Sequence, residues 1–241
     1  MTTKRRDHGW GAYFLPLVSF MLAIELGRKL PDGFEPFVLP LQVAAPLGFL
    51  VFYYRRGHYP ELRRYPFGAA GIALDFAVGL AGAALWMAPY LFFASLRPDD
   101  AGFDPNQWGA SLAPLVLIVR GVGYGLVTPF MEELFVRSWL IRYIDVCNKP
   151  GDFRNVPIGR FRWPSFLVVV LYFTFSHVPW EWPVAVVWIV LTTLWLYYRK
   201  NLMSLVIVHA GSNLGILAFV ILQSGKWLDE EGNPLSLWFF L

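Results

Sequence analysis

The sequence is poor in the residues on which most soluble chemistry depends. It holds one cysteine and four histidines, and only 15% of its 241 residues are charged. The single thiol, Cys147, excludes an internal disulfide and a cysteine-only metal site, and reads as a bystander. The net charge of +3 is small, and the basic residues sit in short clusters between apolar runs. That pattern excludes a nucleic-acid footprint and implies no nucleic-acid partner. What the chain has instead is 56% apolar and 18% aromatic residues, more than a soluble domain of this length carries. Its partner in solvation is the lipid bilayer. No repeat, low-complexity tract or second-domain boundary interrupts it, so residues 1–241 form a single integral membrane domain.

A helix needs about 20 apolar residues to cross roughly 30 Å of hydrocarbon at about 1.5 Å per residue. Seven runs are candidates: 11–27, 36–54, 67–95, 112–141, 164–178, 183–198 and 202–223. The predicted fold is therefore an all-α, polytopic transmembrane bundle of about seven spans. The fifth and sixth runs are short, and the third and fourth are long enough to tilt or kink. The first follows Lys4, Arg5 and Arg6 and reads as an uncleaved signal anchor in a cell membrane, by expectation a bacterial inner membrane. Arg55, Arg56, Arg63 and Arg64, then Arg142, Lys149, Arg154, Arg160 and Arg162, then Arg199 and Lys200 fall on the same side. The opposite side carries Asp99, Asp100, Asp229, Glu230 and Glu231. Basic loops favour the cytoplasm, which predicts an N-in, C-out topology. A partial re-entry at the short 178–182 connection would change that parity.

Ala69, Ala73, Ala77 and Ala81 repeat every four residues and predict a small-residue face for close helix contact. Pro129 removes a backbone donor and should kink the fourth span, leaving the carbonyl of Gly125 unbonded. Trp180, Trp182, Trp188, Trp195, Tyr197 and Tyr198 read as interfacial belt or lipid-facing bulk.

Ionisable groups inside apolar spans are expensive and point to function by default. The richest cluster is Glu132-Glu133-Leu134-Phe135-Val136-Arg137. Adjacent carboxylates lie about 100° apart around a helix, so they cannot share one partner. Arg137 follows Glu133 by four residues, the favourable spacing for a helical ion pair. Glu133 is then the neutralised member, a structural role, and Glu132 is left to point elsewhere as a candidate general base. Phe173 and His177, four apart, share one helix face. So do His209 and Asn213, with Gly211 between them to admit another backbone. Counted from the cytoplasmic ends of their spans, Glu132 lies at roughly 15 Å, His177 at roughly 20 Å, His209 at roughly 10 Å and Asn213 at roughly 16 Å. Similar depths suggest one water-filled cavity. Taken singly, each histidine is as well explained by a helix-to-helix hydrogen bond. Glu25, Asp75 and Arg120 are further intramembrane charges, to be found at a helix end, in a pair or lining the cavity.

Glu-Glu-x-x-x-Arg, Phe-x-x-x-His and His-x-x-x-Asn, in this order on successive spans, resemble the CPBP family of CAAX-type intramembrane endopeptidases, also called Abi. The resemblance covers residues 110–223, leaving 1–109 as accessory spans and 224–241 as a tail. Asp152 to Phe166, the Trp182 region, Asn201 to Asn213 and Gly225-Lys226-Trp227 further resemble a bacterial branch associated with exosortase systems, which implies exosortase components as partners. The resemblance implies that Glu132 activates water and that His177 belongs to the catalytic set. It makes His209 and Asn213 the pair that steadies the oxyanion, with Glu133, Arg137 and Phe173 at the supporting motif positions. The expected activity is hydrolysis of a peptide bond near the C-terminus of a membrane-embedded or lipidated protein, without a cofactor. Zinc held by Glu132, His177 and His209 is the alternative, although the usual His-Glu-x-x-His spacing is absent. A non-catalytic membrane binder or immunity protein of the same fold is the rival from another class. Transport is a third reading, weakened by the lack of inverted halves.

Overall fold

The structure, a computed structural model, describes residues 9–31, 34–99, 102–148, 151–229 and 231–241. Lys4, Arg5, Arg6, Asp100, Lys149 and Glu230, which entered the charge argument, lie outside them. The architecture is all-α. Helix α1 spans Trp10–Gly27, α2 Glu35–Arg55, α3 Gly68–Phe92, α4 Ala113–Ile144, α5 Trp163–Phe175, α6 Trp182–Arg199 and α7 Leu202–Gln223. Six of these are long and apolar enough to cross a membrane. The exception is α5, whose 13 residues cover about 20 Å, short of the hydrocarbon thickness. It ends before His177, and Pro179–Glu181 form a single 3₁₀ turn that leads directly into α6.

The most extensive pairing is α3 with α7, followed by α1 with α2. The face of α3 that makes the first of these is not the alanine face. Ala69, Ala73, Ala77 and Ala81 are exposed, whereas Gly71, Asp75, Gly79, Ala83 and Trp86 are buried. A Cβ on Gly79 would lie 2.3 Å from the carbonyl oxygen of Val208, and one on Gly211 would lie 2.9 Å from that of Phe76. The two glycines therefore let the backbones touch, and Ser212 Oγ donates to the carbonyl of Gly79 at 2.9 Å. Polar anchoring, rather than side-chain size alone, decides which small-residue row faces inward. Asp75 is fully buried on that row, held by Arg199 at 3.0 Å and by the Trp195 indole and Tyr65 hydroxyl.

Helix α4 is continuous without being regular. It passes through π-helical turns at Gly123–Val127 and Leu134–Leu140, each widening the i→i+4 ladder to i→i+5. Pro129 lies just after the first. The carbonyl that takes an outside donor is that of Tyr124, five residues before the proline, not Gly125 as an α-helical count predicts. Asn213 Nδ2 on α7 donates to it at 2.7 Å. The widening has a second effect. In a regular helix a four-residue step overshoots one turn by about 40°, so Arg120, Tyr124, Thr128 and Glu132 would spread over about 120°. Here all four line one cavity.

Beyond α7 the tail turns back on itself, with Gly225 and Leu235 and then Asp229 and Asn233 joined through their backbones. Backbone N–H groups from Asn233 and Glu231 hold the exposed Asp229 carboxyl below its ordinary range. The tail then returns to the bundle, where Phe103 N donates to the carbonyl of Trp238 and the Phe240 ring packs 5.9 Å from that of Tyr90.

Candidate active site

Glu132 and Glu133 divide as their positions around the helix require. Glu133 is fully buried, and its Oε1 accepts from Arg137 Nη1 at 2.8 Å. Arg137, also fully buried, donates to Thr192 Oγ1 on α6 at 2.8 Å and lies 5.3 Å from the ring centres of both Phe173 and Trp188. Glu132 keeps a quarter of its side chain exposed, at 25%, and faces the cavity without a hydrogen bond to any described residue.

His209 connects the two carboxylates, which the motif spacing alone did not reveal. Its Nδ1 lies 2.9 Å from Glu133 Oε1, and its Nε2 lies 4.0 Å from Glu132 Oε2. A carboxylate can only accept, so Nδ1 carries a proton and Nε2 is the nitrogen left for chemistry. Glu133 therefore does more than neutralise Arg137: it orients His209. The Trp188 ring, 4.9 Å away and edge-on, closes one side of the imidazole.

His177 is held by the helix end that precedes it. Its Nδ1 is 2.7 Å from the carbonyl of Phe173, which again fixes the proton on Nδ1 and leaves Nε2 as acceptor. The Trp182 indole donates to the His177 carbonyl at 2.9 Å. The Phe173 ring lies 4.4 Å from the imidazole and stacks on Trp188 at 5.0 Å and 15°. Phe-x-x-x-His is thus a local clamp in which both the carbonyl and the ring of Phe173 position His177.

Glu132, Phe173, His177, His209 and Asn213 all line one cavity of 220 Å³, several times the roughly 30 Å³ share of a water molecule. Glu133 and Arg137 sit behind this wall. Beside the apolar Ile216, Phe240 and Leu241, five further lining residues that carry a polar atom escaped the sequence reading. Tyr124 and Thr128 were legible in principle as a four-residue stripe running into Glu132. Trp86, Glu181 and Ser212 carried no local signal, since α3, the turn after α5 and α7 bring them in. Trp188 is corrected outright: it is buried at the centre of the site, not interfacial, and its indole donates to Ser212 Oγ at 3.2 Å. Trp195, bonded to Asp75, is corrected in part, whereas Tyr198 is exposed as expected. Of the unplaced charges, Asp75 is paired, Glu25 pairs with Arg28 at 2.7 Å on the surface, and Arg120 lines the cavity. Among the described residues no three His, Cys, Asp or Glu side chains gather closely enough to hold a metal ion.

Comparison with known families bears on the helices that build this cavity. Residues 114–215 match the family model described as "Type II CAAX prenyl endopeptidase Rce1-like". This segment, somewhat under half of the chain, is similar to a family of peptide hydrolases of the CAAX type. The matched segment runs from the start of α4 into α7 and includes Glu132, Glu133, Arg137, Phe173, His177, His209 and Asn213. No curated protein and no solved structure matched the chain.

Proposed function

We propose that this chain is a CAAX-type intramembrane endopeptidase that hydrolyses its peptide bond with a water molecule activated by Glu132, without a metal ion. The observation that carries the reading is the split of the Glu pair: one carboxylate is locked into an ion pair and the other is free in a cavity that two histidines also line. Glu132 takes a proton from water as the oxygen adds to the scissile carbonyl carbon. His177 Nε2 accepts from the same water and aims it. The oxyanion is stabilised by the second N–H of Asn213, whose first serves Tyr124, and by the imidazole of His209, with Glu133 supporting Nδ1. Glu132 returns its proton to the leaving nitrogen as the C–N bond breaks.

The substrate is a membrane-embedded or lipidated protein, reached from the bilayer. The family description names prenyl substrates, and a prenylated cysteine near the C-terminus is the form we propose first. Exosortase components as partners, and residence in a bacterial inner membrane, rest on the sequence resemblance alone. The test is cleavage of a prenylated peptide by the full chain in lipid, in protein stripped of metal with a chelator present. Hydrolysis should persist and should be lost in Glu132→Gln with folding intact. Loss of activity on chelation, restored by zinc, would sink the metal-free mechanism. Unchanged cleavage by Glu132→Gln would sink the assignment of the base.

A further inference from the structure

Among the described residues Arg120 is a buried intramembrane cation without an ion pair. Elsewhere the bundle pairs its buried ions: Arg137 with Glu133, Arg199 with Asp75 and Arg142 with Glu61. Among the described residues Arg120 has no carboxylate and no hydrogen-bond partner, and its Nε is closed off from solvent. Its only contacts of note are with the rings of Phe103 and Tyr124, 5.2 and 5.3 Å from the guanidinium carbon. Ring contacts of this kind leave a guanidinium's in-plane N–H groups unbonded, the groups that match a carboxylate with two parallel hydrogen bonds. A cation kept in an apolar span without an anion is costly, and such residues mark ligand paths.

Its position identifies the anion. Arg120 lines the 220 Å³ cavity that Glu132, His177 and His209 share. It also lines a 190 Å³ cavity on the α2 side, again with Glu132, and a 340 Å³ cavity between α1, α2 and the 103–108 segment. Leu39 and Gln42 line both of the latter two. Arg120 is thus common to all three cavities, and Glu132 to two of them. Glu181, the other carboxylate lining the catalytic cavity, makes no ion pair with Arg120.

We infer that Arg120 binds the C-terminal carboxylate of the peptide being cleaved, so that the enzyme measures its cut from the substrate's end. The inference rests on the hydrolytic reading above. Arg120 and Glu132 are separated by three four-residue steps of one helix stripe, about 18 Å along the axis at about 1.5 Å per residue. An extended peptide covers about 3.3 Å per residue. The scissile bond should then lie within about five residues of the C-terminus.

The test uses one fluorescence-quenched peptide, with a prenylated cysteine three residues from its end, made both with a free carboxylate and as the carboxamide. The full chain is assayed in lipid nanodiscs. A charge-assisted pair predicts a kcat/KM ratio between the two of on the order of tenfold to a hundredfold. In Arg120→Gln the ratio should fall to near one, and Arg120→Lys should restore part of it. Arg120 has no polar partner to abandon, so these variants should fold. Equilibrium binding of both peptides to Glu132→Gln separates this inference from the hydrolytic reading. If wild type cleaves neither peptide but Glu132→Gln still prefers the carboxylate through Arg120, the hydrolytic reading fails and the carboxylate site stands. Equal handling of both peptides, or an unchanged ratio in Arg120→Gln, overturns the inference. So does an Arg120-dependent stabilisation by anionic over zwitterionic lipid without discrimination between the peptides, which would assign the guanidinium to a lipid headgroup.

Discussion

The two sides of α4 at Glu132 and Glu133 differ as much as two environments in one protein can. On the Glu133 side, a fully buried carboxylate, a guanidinium, an imidazole and two aromatic faces are packed together out of contact with solvent. On the Glu132 side, a carboxylate with no hydrogen bond to a described residue meets a 220 Å³ cavity. The difference teaches that one residue of offset on a helix, about 100°, is enough to separate a sealed ion pair from an open cavity. It also shows that support is not passive. The sealed side holds His209 so that its free nitrogen points to the open side.

The comparison is broken most forcefully by exchanging the roles. Glu132→Gln should lower turnover by about 10²- to 10⁴-fold, the usual reach of a general base, while thermal unfolding in detergent is unchanged. Glu133→Gln should instead cost about 3–5 kcal/mol of stability, because Arg137 is left as an uncompensated buried cation, read as lost yield and a lowered unfolding temperature. A stable, inactive Glu133→Gln beside an unstable Glu132→Gln would reverse the assignment. Asn213→Ala should cost about 10²- to 10³-fold in kcat as an oxyanion donor. It also frees the Tyr124 carbonyl, so Asn213→Ser, which can still donate there, should recover stability before it recovers rate. Smallest are the effects on the two rows of α3. Gly79→Ala meets backbone and should destabilise by about 1–3 kcal/mol, whereas Ala77→Val on the exposed row should stay within about 0.5 kcal/mol. Equal effects at these two positions would show that the α3–α7 contact is not glycine-dependent.

Much of this molecule is legible in its residue order, and the parts that are not share a cause. Helix positions follow from runs of apolar residues, because only an internally hydrogen-bonded helix crosses lipid as a single segment. The Glu133–Arg137 pair follows from i,i+4 geometry, and the Phe173–His177 clamp from its four-residue spacing. All three are local, set by distances along one chain segment.

Which neighbour each segment meets is not local. Four-residue periodicity picks out the alanine row of α3 as readily as the glycine row, and only Asp75, Ser212 and the close approach of α7 decide for the glycines. Trp188 looks like belt aromatics in sequence, and only the packing of α6 against α5 and α7 buries it between Phe173 and His209. The link from Glu133 to His209 crosses 76 residues of sequence, and the stripe from Arg120 to Glu132 is straightened by a π turn that no spacing rule anticipates. Sequence by itself determined the helices, the ion pair within one of them and the four-residue spacings that pair Phe173 with His177 and His209 with Asn213. Tertiary structure alone decided which carboxylate holds the histidine and which buried cation goes without an anion, because each outcome depends on close approach between helices far apart in the chain.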